Sequence, residues 1–198
     1  MSEQRKARVA EVTRKILIKL SKQKDTSSGK AMLARLRQSI GKPISETVAV
    51  WPILFEDLPE EFLGRNGHTS DEEQAILVTL QLYALHQQSQ SQNVFAGEGN
   101  KYQNIGYSFR QLCQGGDTTA IDRRFNVMIT ASTFEELVYH LRHLITLLKS
   151  KSPETKVDYA KLSEDSYWFL RNYQESVRLS WAREYYKRNF KGEKDDDK

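Results

Sequence analysis

The stretch DEEQAILVTLQLYALHQQS (71–89) constrains the fold more than any other part of the chain. Its apolar side chains, Ile76, Leu77, Val78, Leu80, Leu82, Tyr83 and Leu85, fall on nearly every side of a helical projection. A helix with so little polar face must be covered by neighbours from several directions, so it is central to the fold. The residues leading into it, GHTSDEEQ, are a helix start: Thr69 or Ser70 can cap, and Glu72 or Glu73 completes a capping box.

The rest of the chain supplies helices to cover it. Only 10 Gly and 4 Pro punctuate 198 residues, which favours helix over an all-β fold. Residues 3–21 predict a first helix, with Val9, Val12, Thr13, Ile16 and Leu20 on one face and Arg8, Arg14, Lys15 and Lys19 mostly off it. A second, about 30–40, buries Leu33, Leu36 and Ile40 and stops at Gly41 before Pro43. VWPILFEDLPEEFLG (50–64) reads as an irregular or short-helical segment packed on the core, and 89–104 as a polar, mobile loop. A short helix covers 108–114, and GGD (115–117) breaks the chain. The second half predicts three helices: Asp117 to about Thr130, Thr133 to about Ser150 behind a T-x-x-E box with Glu136, and about Ser163 to Phe190. The stripe of that last helix is Tyr167, Leu170, Tyr173, Val177, Trp181 and Tyr185. The expected organisation is an N-terminal helical unit over 1–114, a C-terminal one over 115–190, and a disordered tail over 191–198.

No apolar run approaches the roughly 20 residues of a membrane span, and the N-terminus lacks a signal-peptide pattern. A single cysteine, Cys113, cannot form an internal disulfide, which suits a reducing cytoplasm. Charge is unevenly spread. Residues 1–50 carry 12 Lys/Arg against 4 Asp/Glu, and residues 51–100 carry 1 against 8. A basic part suits phosphate and an acidic part suits a basic protein neighbour, although a solvated helical surface shows the same pattern.

Catalytic patterns are missing. Gly29-Lys30 has neither the spacing nor the following Ser/Thr of a P-loop, and Gly97–Gly99 sits in a polar loop. Glu136, His140 and His143 share one side of a helix at metal-ligand spacing, but lack a further ligand, and histidines at a surface or interface explain them better. His86 reads as a hydrogen-bonded core group and Cys113 as a small buried residue. No metal or cofactor is expected.

DTTAIDRRFN (117–126) carries two adjacent arginines. On a helix buried through Ile121, Phe125 and Met128, Arg123 lies almost opposite the stripe and Arg124 at its edge. Arg35 and Arg37 stand in the same relation to Leu33, Leu36 and Ile40; Arg142 flanks the 133–150 stripe, and Arg178 flanks the last one. Arginines held by packing at the edge of a stripe lose less entropy on gripping a phosphate. Intramolecular salt bridges account for the pattern equally well. Tyr167, Tyr173 and Trp181 could stack on bases, but their helical spacing fits core packing better.

MLARLRQSIGKP (32–43), VWPILFEDLPEEFLG (50–64), LYALHQQSQ (82–90), TTAIDRRFNVMITASTFEELVYHLRHLITLLKS (118–150), VDYAKLSEDSYWF (157–169) and VRLSWAREYYK (177–187) together resemble the CasB family, the small subunit of the type I-E CRISPR Cascade complex. D-R-R-F-N followed by Y-H-L-R-H-L is the most specific part. The resemblance implies an all-α fold of two packed helical bundles without catalytic activity. It also implies two copies in an RNA-guided complex, contacting its backbone and large subunits, the guide RNA and the target DNA of the R-loop, with the displaced strand as the expected contact. On that reading Arg35, Arg37, Arg123, Arg124, Arg142 and Arg178 are the first candidates for nucleic-acid contact, with Lys30, Lys149, Arg183 and Lys187 behind them. The alternative is a structural adaptor whose arginines meet acidic protein surfaces.

Overall fold

The computed structural model describes residues 2–97, 103–114 and 117–187, with side chains from Arg8 onward. The expected tail, Gly99 and the Gly115–Gly116 break lie outside these residues. Nine helices are described: α1 (Ser2–Gln23), α2 (Ser27–Gln38), α3 (Trp51–Phe55), α4 (Asp71–Gln87), α5 (Ile105–Arg110), α6 (Thr119–Ile129), α7 (Phe134–Lys151), α8 (Tyr159–Leu170) and α9 (Gln174–Tyr186). Short 3-10 turns flank α3 and follow α5. The fold is all-α; among the described residues the one β-type pairing is an isolated parallel bridge between Phe95 and Val157.

α4 is central, as its composition requires. It packs against α1, α2, α7 and α8, and Ile76, Leu77, Leu80, Leu82 and Tyr83 are all buried. Its capping box is made by Ser70 and Glu73. The box before α7 is made by Thr133 and Glu136. α2 begins at Thr26, whose hydroxyl accepts from Gly29 N. Gly29 has no room for a side chain, because a Cβ there would fall 1.8 Å from Gln23 O. That contact sets α2 close against the end of α1.

Three expectations are corrected. The single helix over 163–190 is two. α8 starts at Tyr159, with the Asp158 carboxylate accepting from Lys161 N, and the chain turns at Asn172, φ 66°. Asparagine tolerates this left-handed geometry, and no Gly or Pro marks the turn in the sequence. As a result Tyr173, placed on the buried stripe, is 55% exposed, whereas Tyr167, Val177, Trp181 and Tyr185 are buried. The loop after α4 is partly stitched down. The Gln87 amide donates to Gln90 O and Gln92 O and accepts from Val94 N, and Val94, Phe95 and Ala96 are buried. The N-cap position of α6 is Thr118 rather than Asp117; the Thr118 side chain makes no capping bond, while the Asp117 carboxylate accepts from Thr119 N.

α8 lies against α1 and α4, while α9 packs on α5 and α6. The contact between α5 and α9 is close: a Cβ on Gly106 would fall 2.1 Å from Trp181 O. No described helix is long and apolar enough to cross a membrane.

Candidate nucleic-acid interface

Burial of Leu33 and Leu36 fixes the rotation of α2. Lys30 and Arg35 are thereby exposed and Arg37 is half-buried. Arg37 Nη1 donates to Ala84 O at the end of α4, at 3.4 Å. From the far end of α7, Lys149 Nζ donates to Gln88 Oε1 at 3.3 Å, and Gln90 Nε2 donates to Lys149 O. A groove of about 240 Å3 is lined by Lys24, Asp25, Lys30, Leu33, Arg37 and the turn Gln87–Gln90; Lys149 stands outside this lining and touches its wall through Gln88 and Gln90. Burial, and then the field of Arg37, pushes the Lys149 ammonium pKa down. Burial also lowers the Arg37 guanidinium pKa. His86 beneath is fully buried, with Nδ1 3.0 Å from Tyr159 Oη. Burial, and next Lys149, pushes the imidazole down to about 4.

On α6, Ile121, Phe125 and Met128 are buried, and Arg123 and Arg124 are both exposed. Arg124 Nη1 reaches back to Ala120 O at 3.4 Å. Asp122 does not neutralise them: it accepts from Tyr185 Oη at 2.8 Å and from Thr118 Oγ1 at 2.7 Å. Phe125 stacks on Tyr185 with ring centroids 3.7 Å apart, which fixes α6 against α9. Arg142 on α7 and Arg183 on α9 are exposed. Lys187 lies 3.9 Å from Glu184.

Arg178 is turned inward. It donates through Nη2 to Ala131 O in the α6–α7 connection, and its guanidinium lies 5.7 Å from the Phe169 ring centre. This arginine ties three elements together. Of the sequence-derived candidates, Lys30 and Arg37 line one groove, Lys149 is bonded to its wall at Gln88 and Gln90, and no described contact joins the others to it.

The charge asymmetry of the first hundred residues has an internal explanation. Arg8 pairs with Glu61, Lys15 with Asp57 at 2.8 Å, and Lys19 with Glu56 at 2.8 Å and Asp57 at 3.4 Å. Part of the basic α1 thus meets the acidic 56–61 segment. The hydrogen bond from Lys15, and the field of Lys19, hold the Asp57 carboxyl below its usual range. By contrast, no described carboxylate forms an ion pair with Arg35, Arg37, Arg123, Arg124, Arg142 or Lys149.

The metal-spaced trio does different work. Glu136 Oε2 accepts from Ser132 N and Thr133 N, and His140 and His143 pack edge-on to Tyr139. No group of three or more potential ligands is arranged around a metal position among the described residues. Cys113 Sγ is 3.2 Å from Tyr185 Oη. What sequence reasoning missed is the polar wall of the groove: Gln88 reads as the end of the central helix and Gln90 as part of a polar loop, and no local signal pairs them with Lys149.

Fold and surface together define an all-helical scaffold whose unpaired cations face outward from packed helices. The chain belongs to the CRISPR-associated protein Cse2 family, whose profile matches residues 32–186. Among solved structures it is similar to CasB from Thermobifida fusca, at 24% identity over 89% of this chain and 97% of that one, with a TM-score of 0.69. A CRISPR-associated protein of the Cse2 family from Thermus thermophilus matches at 22% identity over 88% of this chain and 97% of that one, with a TM-score of 0.61. A chain of a CRISPR RNA-guided surveillance complex matches at 17% identity over 89% and 92%, TM-score 0.67. No curated protein matches the chain.

Proposed function

We propose that this chain is a non-catalytic small subunit of an RNA-guided CRISPR interference complex, and that it stabilises the R-loop by gripping nucleic-acid backbone. Membership of the Cse2 family and likeness to a chain of a surveillance complex support the assembly. The observation that carries the binding role is that Arg35, Arg123, Arg124 and Arg142 are exposed on rigid helices without a described acidic partner. Lys30 and Arg37 in the groove, with Lys149 beside it, add a separate cationic group; Arg183 and Lys187 add cations on and just after α9; Arg178 holds the frame. Strand exchange in an R-loop is close to balanced in energy, so backbone contacts can tip it, and they need no base-reading code. The backbone and large subunits, a second copy, guide RNA and target DNA are the proposed partners. Exposed Val48 and Trp51 offer apolar area for the protein neighbours.

The test is Arg123→Ala/Arg124→Ala in the assembled complex. Assembly and melting temperature should be unchanged, target DNA should dissociate faster, and the slope of log affinity against log salt should fall by about 1.4 for two single-strand phosphates. Unchanged affinity and slope would overturn the binding role. Loss of assembly before DNA is added would replace it with an adaptor.

A further inference from the structure

We infer that the groove between α2 and the Gln87–Gln90 turn is a seat for one phosphodiester of the bound strand, with Arg37 from its lining and Lys149, bonded to Gln88 of its wall, as the two principal donors. This narrows the nucleic-acid reading above and rests on it. Arg37 is pinned by Ala84 O, and Lys149 by Gln88 Oε1, so both cationic heads are positioned before any ligand arrives. Lys30 lines the same groove from the solvent side. The acid in the lining, Asp25, is engaged with Lys24 at 2.7 Å and points largely to solvent.

Lys149 feels the field of Arg37, and neither cation forms an ion pair with a described carboxylate. Two like charges that feel each other's field partly out of water raise the energy of the empty groove. A bound anion reverses the sign of that interaction. The guanidinium suits a phosphate because its planar fork can take two oxygens at once, and Lys149 adds a point charge. At about 240 Å3 the space is smaller than the roughly 300–1,000 Å3 of ordinary small-molecule sites. It suits a phosphate with its flanking sugars better than a whole cofactor. The strand is held through its backbone, and DNA and RNA share this chemistry.

The experiment uses the full chain with Lys149→Gln and Arg37→Gln, and with Lys19→Gln as a control cation already paired to acids. Affinity for a 12-residue oligo-dT and a 12-residue oligo-U is measured across a salt series, beside thermal melting without ligand. Lys149→Gln should melt no lower than the parent, because repulsion is relieved. It should bind the preferred strand about tenfold or more weakly, as for loss of a charged hydrogen bond, with a salt slope lower by about 0.7. Lys19→Gln should bind like the parent. The stronger effect on oligo-dT or on oligo-U identifies whether DNA or RNA occupies the seat. A Lys149→Gln chain that melts lower and keeps the parental slope overturns the seat. If groove variants bind normally while Arg123→Ala/Arg124→Ala does not, the seat alone fails. If none of them changes binding, the nucleic-acid reading fails with it.

Discussion

Arg178→Ala should destabilise the chain, whereas Arg183→Ala, on the same helix, should not. Arg178 donates a charged hydrogen bond to Ala131 O, and Ala131 is only 5% exposed. A hydrogen bond to a charged group contributes about 1.5–3 kcal/mol, and the bare carbonyl left behind has little water to turn to. The guanidinium also covers the Phe169 ring, adding roughly 0.5–1 kcal/mol. The expected loss is about 2–4 kcal/mol. For a chain of this size that lowers the melting temperature by roughly 5–15 °C. Arg183 is exposed and outside any described ion pair, so its truncation should stay within about 0.5 kcal/mol. Arg178→Lys should recover only part of the loss, since an ammonium cannot lie over the ring and fork to the carbonyl as a plane does. Calorimetric melting and urea midpoints at fixed pH measure this directly. Equal melting temperatures for parent and Arg178→Ala, or equal losses for the two alanine variants, would refute the assignment of Arg178 to the frame.

Three further outcomes follow from buried or crowded groups. Gly106→Ala should cost about 1–3 kcal/mol by overpacking, because its Cβ would meet Trp181 O at 2.1 Å; a parental urea midpoint would contradict the close α5–α9 contact. Asp57 has its pKa depressed in the folded state. Its stabilising contribution is therefore present above the ordinary carboxylate value of 3.8 and lost as pH falls through the lower folded value. The stability gap between the parent and Asp57→Asn should thus narrow at acid pH, as read by melting from neutral pH downward. His86, pushed down to about 4, should show no imidazole titration by NMR near neutral pH; a midpoint close to the ordinary histidine value would contradict its burial.

Much of the helix map was legible because capping and amphipathic periodicity act over three or four residues. Ser70 with Glu73 and Thr133 with Glu136 mark starts that the structure reproduces. The outward pointing of Arg35 and Arg123 followed from the buried faces of their own helices. The turn at Asn172 was not legible, because an apolar stripe at helical spacing runs straight through it and the left-handed residue is not a glycine.

The sequence by itself determined the all-helical class, the central place of α4 and the outward rotation of most arginines, since these depend on local backbone chemistry and the burial of one face. Only the tertiary structure decided that α8 would lie against α1 and α4, that Lys15 and Lys19 would pair with Asp57, and that Arg178 would turn inward. It also decided the groove. Arg37 meets Ala84 across 47 residues and Lys149 meets Gln88 across 61. At such separations a pairing is fixed by how whole helices pack, and no local pattern encodes it.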